Sequence, residues 1–275
     1  QEFNDAVADA NTQSVQEQLA DLRRGEAGHW LVFINGGFVE SLSDIGALPQ
    51  GAVVMPVSQA LDAHSDQVQA LTGTEEDGPA PATLNTALAG DGGFVSVARG
   101  VDLSEPVHLV FFTVGNGNAV FPRNLISVEQ GARATVVEHY LCADAGTDAD
   151  AAATLTNAVT RTQVARDASL THMKLQVENE QAYHLAFIDA KQDEASVFNS
   201  HSMSFGARLA RNDISTQFGG KHCETLFNGL FYVNARRHAD HNTLIDHAHP
   251  DGVSREYYRG ILADAGRGVF GGRIR

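Results

Sequence analysis

The sequence predicts a mainly β protein, a stack of strands preceded by a smaller mixed α/β segment that ends near residue 90. Three observations lead there. Beyond Gly93 the helical period of the apolar residues gives way to alternation, the period-2 pattern of strands with two unlike faces. Turn-forming residues punctuate that stretch evenly, with Asp167, Glu180, Asp193, Gly206 and Gly219 each 13 residues apart, as stacked strands require. The 275 residues are 43% hydrophobic, enough to fill a core and to exclude wholesale disorder. Strand direction stays open at this point. An antiparallel sandwich and a parallel β-helix both satisfy the spacing, and antiparallel pairing is the commoner of the two.

The elements follow in chain order. Residues 1 to about 28 are polar and Ala-rich, with Val7, Ala10, Ser14, Val15, Gln18, Leu19 and Leu22 in helical step until Gly25 and Gly28. The run from Trp30 to Val39 reads as two short strands about the Asn35-Gly36 turn. A short strand is expected over 52–57, then a helix carrying Ala60, Leu61 and Val68. Thr72 to Pro81 is acidic and holds Gly and Pro, which marks a loop and a candidate domain boundary. A brief helix over 82–89 stops at Gly90, before the turn Asp91-Gly92-Gly93, and a further short turn is expected near 150–155. Among the strands, Met173, Leu175 and Val177 share one face while His172, Lys174 and Gln176 take the other. Val197, Met203 and Phe205 oppose Ser196, Ser200, Ser202 and Ser204, with Phe198 out of pattern. Cys223, Phe227, Phe231 and Val233 line up together.

Charge and composition remove several function classes. There are 34 acidic residues against 19 basic, a formal charge of −15. Such a surface repels phosphate backbones, so nucleic-acid binding is not expected. No apolar run approaches the ~20 residues of a membrane helix, Val107 to Val114 being far too short. Cys142 and Cys223 belong to no Cys-x-x-Cys pair, and Gln1 opens no signal-peptide pattern, which together read as a protein of a reducing compartment. Gln1 is also no natural start and suggests a fragment. The sole Gly-Lys, Gly220-Lys221, has Ser215 where a phosphate-binding loop needs its first glycine, so ATP hydrolysis by this chain is not expected. Gly115 and Gly117 have Val120 where a dinucleotide fingerprint needs its third glycine. There is no Gly-x-Ser-x-Gly and no His-Glu-x-x-His.

One stretch invites a metal reading. His238, His241, His247 and His249 lie within fourteen residues that end at Pro250. On a strand His247 and His249 would share a face and reach one ion, whereas His238 and His241 would point oppositely. With no carboxylate or cysteine at ligand spacing, surface or strand-end histidines are the favoured reading. Cys223 shares its face with Phe227, Phe231 and Val233, which favours a small buried hydrophobe over a ligand. His201, on the Val197–Phe205 face, is expected to be a hydrogen-bonded core histidine.

Three stretches carry a resemblance. They are LNTALAGDGGFVSVARGV (84–101) with EPVHLVFF (105–112), PRNLISVEQGARATVVEHY (122–140), and HNTLIDHAHPDGVSREYYRGILADAGRGVFGGRI (241–274). In order and spacing they resemble the SufB/SufD family, the scaffold proteins of the SUF iron–sulfur cluster assembly machine. The matching signature positions are Asn85, Asp91, Gly92, Pro122, Arg123, Asn124, Glu138, His247, Pro250 and Ser254. The Arg-Gly-Val-Phe ending is more similar to the SufD branch than to the SufB branch.

The resemblance implies a right-handed parallel β-helix over residues 91–275, incomplete at its C-terminal end, after an N-terminal mixed α/β segment over 1–90. It implies a scaffold rather than an enzyme, working with SufB-like and SufC-like subunits, the latter supplying the ATPase. The cluster would be assembled transiently at the level of the complex and none held by this chain alone, in cytoplasm or plastid stroma. The family's Cys-Ser-His-Gly-Ala segment and its SufC-binding helical region would fall after Arg275, so the histidine implicated in cluster assembly is assigned to no residue here. Two other classes stay in view. A metal-binding β-domain would use His247, His249 or Cys223, and a carbohydrate-active β-helix enzyme would need clustered carboxylates or basic residues on one strand face, which the sequence does not show.

Overall fold

The computed structural model describes residues 11–72, 80–115, 117–143 and 153–275. Val7, Ala10, most of the acidic loop and the expected turn near 150 therefore lie outside the described residues. The N-terminal part comprises α1 (Asn11–Arg23), β1 (His29–Ile34), β2 (Gly37–Phe38), β3 (Ala52–Pro56), α2 (Val57–Ala63), α3 (Ser65–Thr72) and α4 (Ala80–Leu88). Then come β4 (Gly93–Val97), β5 (Val107–Thr113), β6 (Ala119–Val120), β7 (Arg123–Val128), β8 (Arg133–Cys142) and β9 (Leu155–Val164). The regular stack continues as β10 (Ser169–Gln176), β11 (Tyr183–Gln192), β12 (Val197–Ser204), β13 (Leu209–Phe218), β14 (Glu224–Val233), β15 (His238–Asp246), β16 (Val253–Leu262) and β17 (Arg267–Ile274). No proline occurs between Arg123 and His249. Every strand of that stretch can therefore donate its amides to a neighbour.

Two sheets run through the molecule, one ordered β16-β14-β12-β10-β8-β5-β1-β2 and the other β17-β15-β13-β11-β9-β7-β4-β3. From β7 onward the chain crosses from one sheet to the other with each strand and always pairs in parallel. Ser169 sits beside Val197, Val197 beside Glu224, and Glu224 beside Val253, so about 28 residues carry the chain once round. This is a parallel β-solenoid of about 6 turns. The 13-residue interval marks one strand with its corner, and two such units make a coil. Direction, open from periodicity alone, is settled for the β-helix.

The corners repeat as the strands do. Asp167, Ala195, His222 and Asp251 turn the chain at one edge and Ala207, Ala235 and Asp264 at the other, all with φ between 50° and 66°. A left-handed residue with a side chain costs about 1 kcal/mol or more, a cost offset by the continuous ladders on either side. At the N-terminal end, Asn35 (φ 49°) and Gly36 (φ 80°) form the tight turn that folds β2 back on β1. The strand β3 adds antiparallel to β4. Both sheets thus pass residue 90 without a break. α1 packs Val15 and Leu19 over Trp30, Val32 and Phe112, α2 and α3 cover Phe94 and Leu125, and α4 lies on Val159 and Phe187.

Inside, Phe33, Leu109, Val136, Leu170, Phe198 and Phe227 form one continuous apolar cluster. Cys223, Phe227, Phe231 and Val233 are all buried, as their alignment predicts. His201 is a correction. It lies half-buried on the outer face, where Asn228 Nδ2 and His201 Nδ1 are 3.1 Å apart. In the middle coils the interior is built from the polar side of the alternation: His172, Lys174, Gln176, Ser200, Ser202 and Ser204 are buried, while Met173, Leu175 and Met203 are only partly so. Phe198, out of pattern in the sequence, marks the inward side.

This face assignment makes opposite predictions for two neighbours on β12. Phe198→Ala should cost about 3–5 kcal/mol, as for a fully buried aromatic, while Met203→Ser should stay within about 1 kcal/mol. Urea denaturation of both variants checks it, and a larger loss for Met203→Ser would reverse the assignment.

Candidate functional site

Seven of the ten signature residues meet where the N-terminal segment joins the first coils. The Asp91 carboxylate accepts hydrogen bonds from Ser58 N at 3.0 Å and Ser58 Oγ at 2.7 Å, holding the start of α2, and from Gly92 N at 2.8 Å. Gly92 is held against the backbone of β7, where a Cβ would stand 2.1 Å from the Arg123 carbonyl oxygen. Gly93 N donates to Asn124 Oδ1 at 2.9 Å, and Asn124 Nδ2 donates to Thr160 Oγ1 at 3.3 Å. Asn85, fully buried, donates to the carbonyls of Pro122 and Asn157 at 3.0 and 2.8 Å. Arg123 reaches Thr86 Oγ1 at 2.6 Å and Asn85 Oδ1 at 3.4 Å. These residues tie α2, α4 and the Asp91-Gly92-Gly93 turn to the solenoid.

The network continues inward to Glu138, which is 1% exposed. Thr160 Oγ1 donates to Glu138 Oε1, Tyr140 OH donates to Oε2 at 2.8 Å, and His172 Nε2 lies 3.2 Å from Oε1. Burial alone raises a carboxyl pKa, but His172 and these hydrogen bonds outweigh it and hold Glu138 at about 2. One coil on, Lys174 occupies the ladder position beside Glu138, is 1% exposed, and has its Nζ 5.3 Å from the Tyr140 ring. Burial lowers its pKa to about 8 against the raising effect of Glu138 and Glu178. Glu178 completes the group, with His184 Nδ1 2.8 Å away and hydrogen bonds from Thr156 and Gln176. Burial pushes it up, and these partners bring it below the ordinary carboxylate range. Sequence patterning placed His172, Lys174 and Gln176 on one strand face but gave no signal that Glu178, His184, Thr160 and Tyr140 converge on it. Their partners come from other strands.

The remaining signature residues sit elsewhere. β15 ends at Asp246, so His247 and His249 lie in the corner that follows and share no strand face. His247 Nε2 and Ser254 Oγ are 3.0 Å apart, and the imidazole packs against Phe218. His249 and Pro250 are exposed. Cys223 is buried, with its thiol directed at the carbonyls of Asp193 and Gly220, 3.1 and 3.3 Å away. Among the described residues no group of three or more His, Cys, Asp or Glu has the geometry to hold a metal ion. A second histidine pair was not read from the sequence. His108 Nδ1 and His139 Nε2 are 3.1 Å apart, His108 is stacked 3.8 Å from Trp30, and burial lowers both to about 4. A groove of about 340 Å³ crosses the outer face beside α4, floored by Val159 and Phe187. Its charges are mutually paired, Arg161 with Asp189 at 2.6 Å and Arg211 with Asp213 and Asp240 at 2.9 and 2.8 Å.

Comparisons with known proteins complete the picture. Residues 111–275 match the family model described as SUF system FeS cluster assembly, SufBD core domain, and residues 27–109 match the SufBD protein N-terminal region. The chain is 29% identical over 248 residues to the iron–sulfur cluster assembly protein SufD of Escherichia coli, covering 89% of this chain and 55% of that protein. It is 26% identical over 249 residues to an iron–sulfur cluster assembly SufBD family protein of Synechocystis, covering 89% of this chain and 55% of that protein. It is likewise 26% identical over 249 residues to the protein ABCI7, chloroplastic, of Arabidopsis thaliana, covering 87% of this chain and 51% of that protein. The chain spans about half the length of the curated relatives it matches.

Two outcomes follow from this geometry. Gly92→Ala drives a Cβ into immobile backbone and should destabilise by about 1–3 kcal/mol, whereas Gly131→Ala, in open space at φ 68°, should cost only about 1 kcal/mol. Thermal melts of the two variants check the difference. Glu138 has a folded pKa below its unfolded value, so its contribution is complete above about pH 4.5 and is lost as pH falls toward 2. Glu138→Gln should therefore lower stability at pH 6 by a few kcal/mol and show a flatter stability curve than wild type below pH 4.5. Parallel curves in urea titrations at several pH values would contradict this.

Proposed function

Because the chain belongs to the SufBD family of the SUF iron–sulfur cluster assembly system, we propose that it is a SufD-like scaffold that works in complex with SufB-like and SufC-like subunits. The observation that carries the reading is the pair of family matches, which together span residues 27–275 in order and coincide with the capped solenoid. The geometry supports a structural role for the signature residues. Asp91, Gly92, Asn85, Arg123 and Asn124 direct hydrogen bonds to backbone, to one another and to the hydroxyls of Ser58, Thr86 and Thr160, which fastens elements together. Gly220 and Lys221 stand in a corner between β13 and β14 that runs on into a strand rather than the helix of a nucleotide-binding loop, which supports assigning ATP hydrolysis to a separate subunit. Iron and sulfide are then cargo, assembled at the level of the complex. The working compartment is cytoplasm, or plastid stroma in a plant, where a relative is named chloroplastic.

Co-expression of the 275-residue chain with SufB-like and SufC-like subunits tests the reading. Affinity capture of this chain should retain the SufB-like subunit. Purified alone, the chain should hydrolyse no ATP and, after anaerobic reconstitution with iron and sulfide, should lose its iron on desalting. A stoichiometric cluster abolished by Cys223→Ser or His247→Ala would overturn the scaffold reading in favour of a metal-binding domain.

A further inference from the structure

The interior of the solenoid is polar over several consecutive coils, and its polar atoms outnumber their protein partners. Lys174 and Ser202 occupy neighbouring positions on one inward ladder, and Asn212 and His241 on the facing sheet. His184 and Thr243 also face inward, and all six residues are at most 4% exposed. Seven of their atoms have no protein hydrogen-bond partner: Lys174 Nζ, His184 Nε2, Ser202 Oγ, both amide atoms of Asn212, His241 Nδ1 and Thr243 Oγ1. Leaving that many buried groups unsatisfied would cost on the order of the whole stability of a domain. A fold that tolerates them must satisfy them with something small.

The inward side chains of these coils include short ones, Ser200, Ser202 and Ser204 on one sheet and Ala186, Ala210 and Ala239 on the other, all buried, between sheets that face one another roughly 10 Å apart. Longer residues reach across between them, as His241 does with its Nε2 3.2 Å from Ser204 Oγ. Charge selects the occupant. Two buried carboxylates, Glu138 and Glu178, flank the single buried ammonium of Lys174, so the column repels anions, and the mixture of donors and acceptors suits a neutral molecule with both. We propose that the middle coils enclose a built water site, a file of ordered water molecules running from Lys174 past Ser202 and Asn212 to His241 and Thr243. At about three hydrogen bonds per buried water, the seven atoms call for about three waters. The file places the Lys174 ammonium in hydrogen-bonded continuity with the coil of β14 and β15, 1% exposed though it is. This inference is independent of the assignment of partner subunits.

A crystal structure of the 275-residue chain at a resolution that orders internal solvent tests it, with a bromide soak as the second arm. Water should lie within hydrogen-bonding distance of Lys174 Nζ, the Asn212 amide and His241 Nδ1, with no anomalous bromide peak in the column. Direct pairing of those atoms with one another and no water between them would overturn the proposal, and so would a bromide ion bound at Lys174. In solution, water relaxation dispersion should count at least one fewer long-lived internal water in a Lys174→Met, Asn212→Leu double variant, which removes three of the seven atoms. An unchanged count in the folded variant would equally refute the site, and if that variant does not fold the crystal structure of the wild type decides.

Discussion

A carboxylate in the middle of a β-solenoid constrains everything around it. Glu138 is removed from water, and an ion so placed is tolerable only if it is both neutralised and fully hydrogen-bonded. Its surroundings meet both demands with groups from three strands: Tyr140 on its own, Thr160 across the interior, and His172 with Lys174 on the next coil. Thr160 in turn receives Asn124, and Asn124 receives Gly93, so the same hydrogen-bond path reaches the Asp91-Gly92-Gly93 turn where the N-terminal segment is fastened. The joint between segment and solenoid and the charged centre of the solenoid are one connected structure.

Parallel in-register stacking extends that constraint along the axis. Each inward position is directly above and below its counterparts in the neighbouring coils, so a buried charge forces its neighbours to be polar too. The ladder through Glu138, Lys174 and Ser202 obeys this, as does the facing ladder through Asn212 and His241. Where the polar column ends, aromatic and aliphatic residues take over: Leu109 on the preceding coil and the Tyr258 ring stacked over Gly229 two coils beyond Ser202. The outer faces compensate by carrying part of the apolar complement, including Met173, Leu175 and Met203.

That inversion sets the limit of what the sequence discloses. Corners and strands were legible because turn residues and period-2 alternation are local, and the Asn35-Gly36 hairpin and α4 were legible for the same reason, whereas the single helix expected over Ala60 to Val68 is two, α2 and α3, parted at His64. Strand direction was not, since alternation is identical in parallel and antiparallel sheets, and only the resemblance supplied it. The inward side was misjudged for His201 because apolar residues were assumed to face the core, whereas the partners that make His172 and Lys174 acceptable inside come from segments as distant as Glu138. His247 and His249 looked like strand neighbours only because nothing in the sequence stops the strand at Asp246 rather than four residues later.

The two antiparallel strands that close the N-terminal edge, β2 on β1 and β3 on β4, also give the molecule a temporal direction. They occupy one end of both sheets, so each later strand adds at the other end. Beyond β9 each strand pairs with one made about 28 residues earlier, a short loop to close by the standards of parallel sheets. A ribosome releasing this chain from its N-terminus therefore presents each new coil to a finished template, and assembly becomes a zipper with a fixed starting tooth. The slow search that parallel strands otherwise face is confined to the first coil.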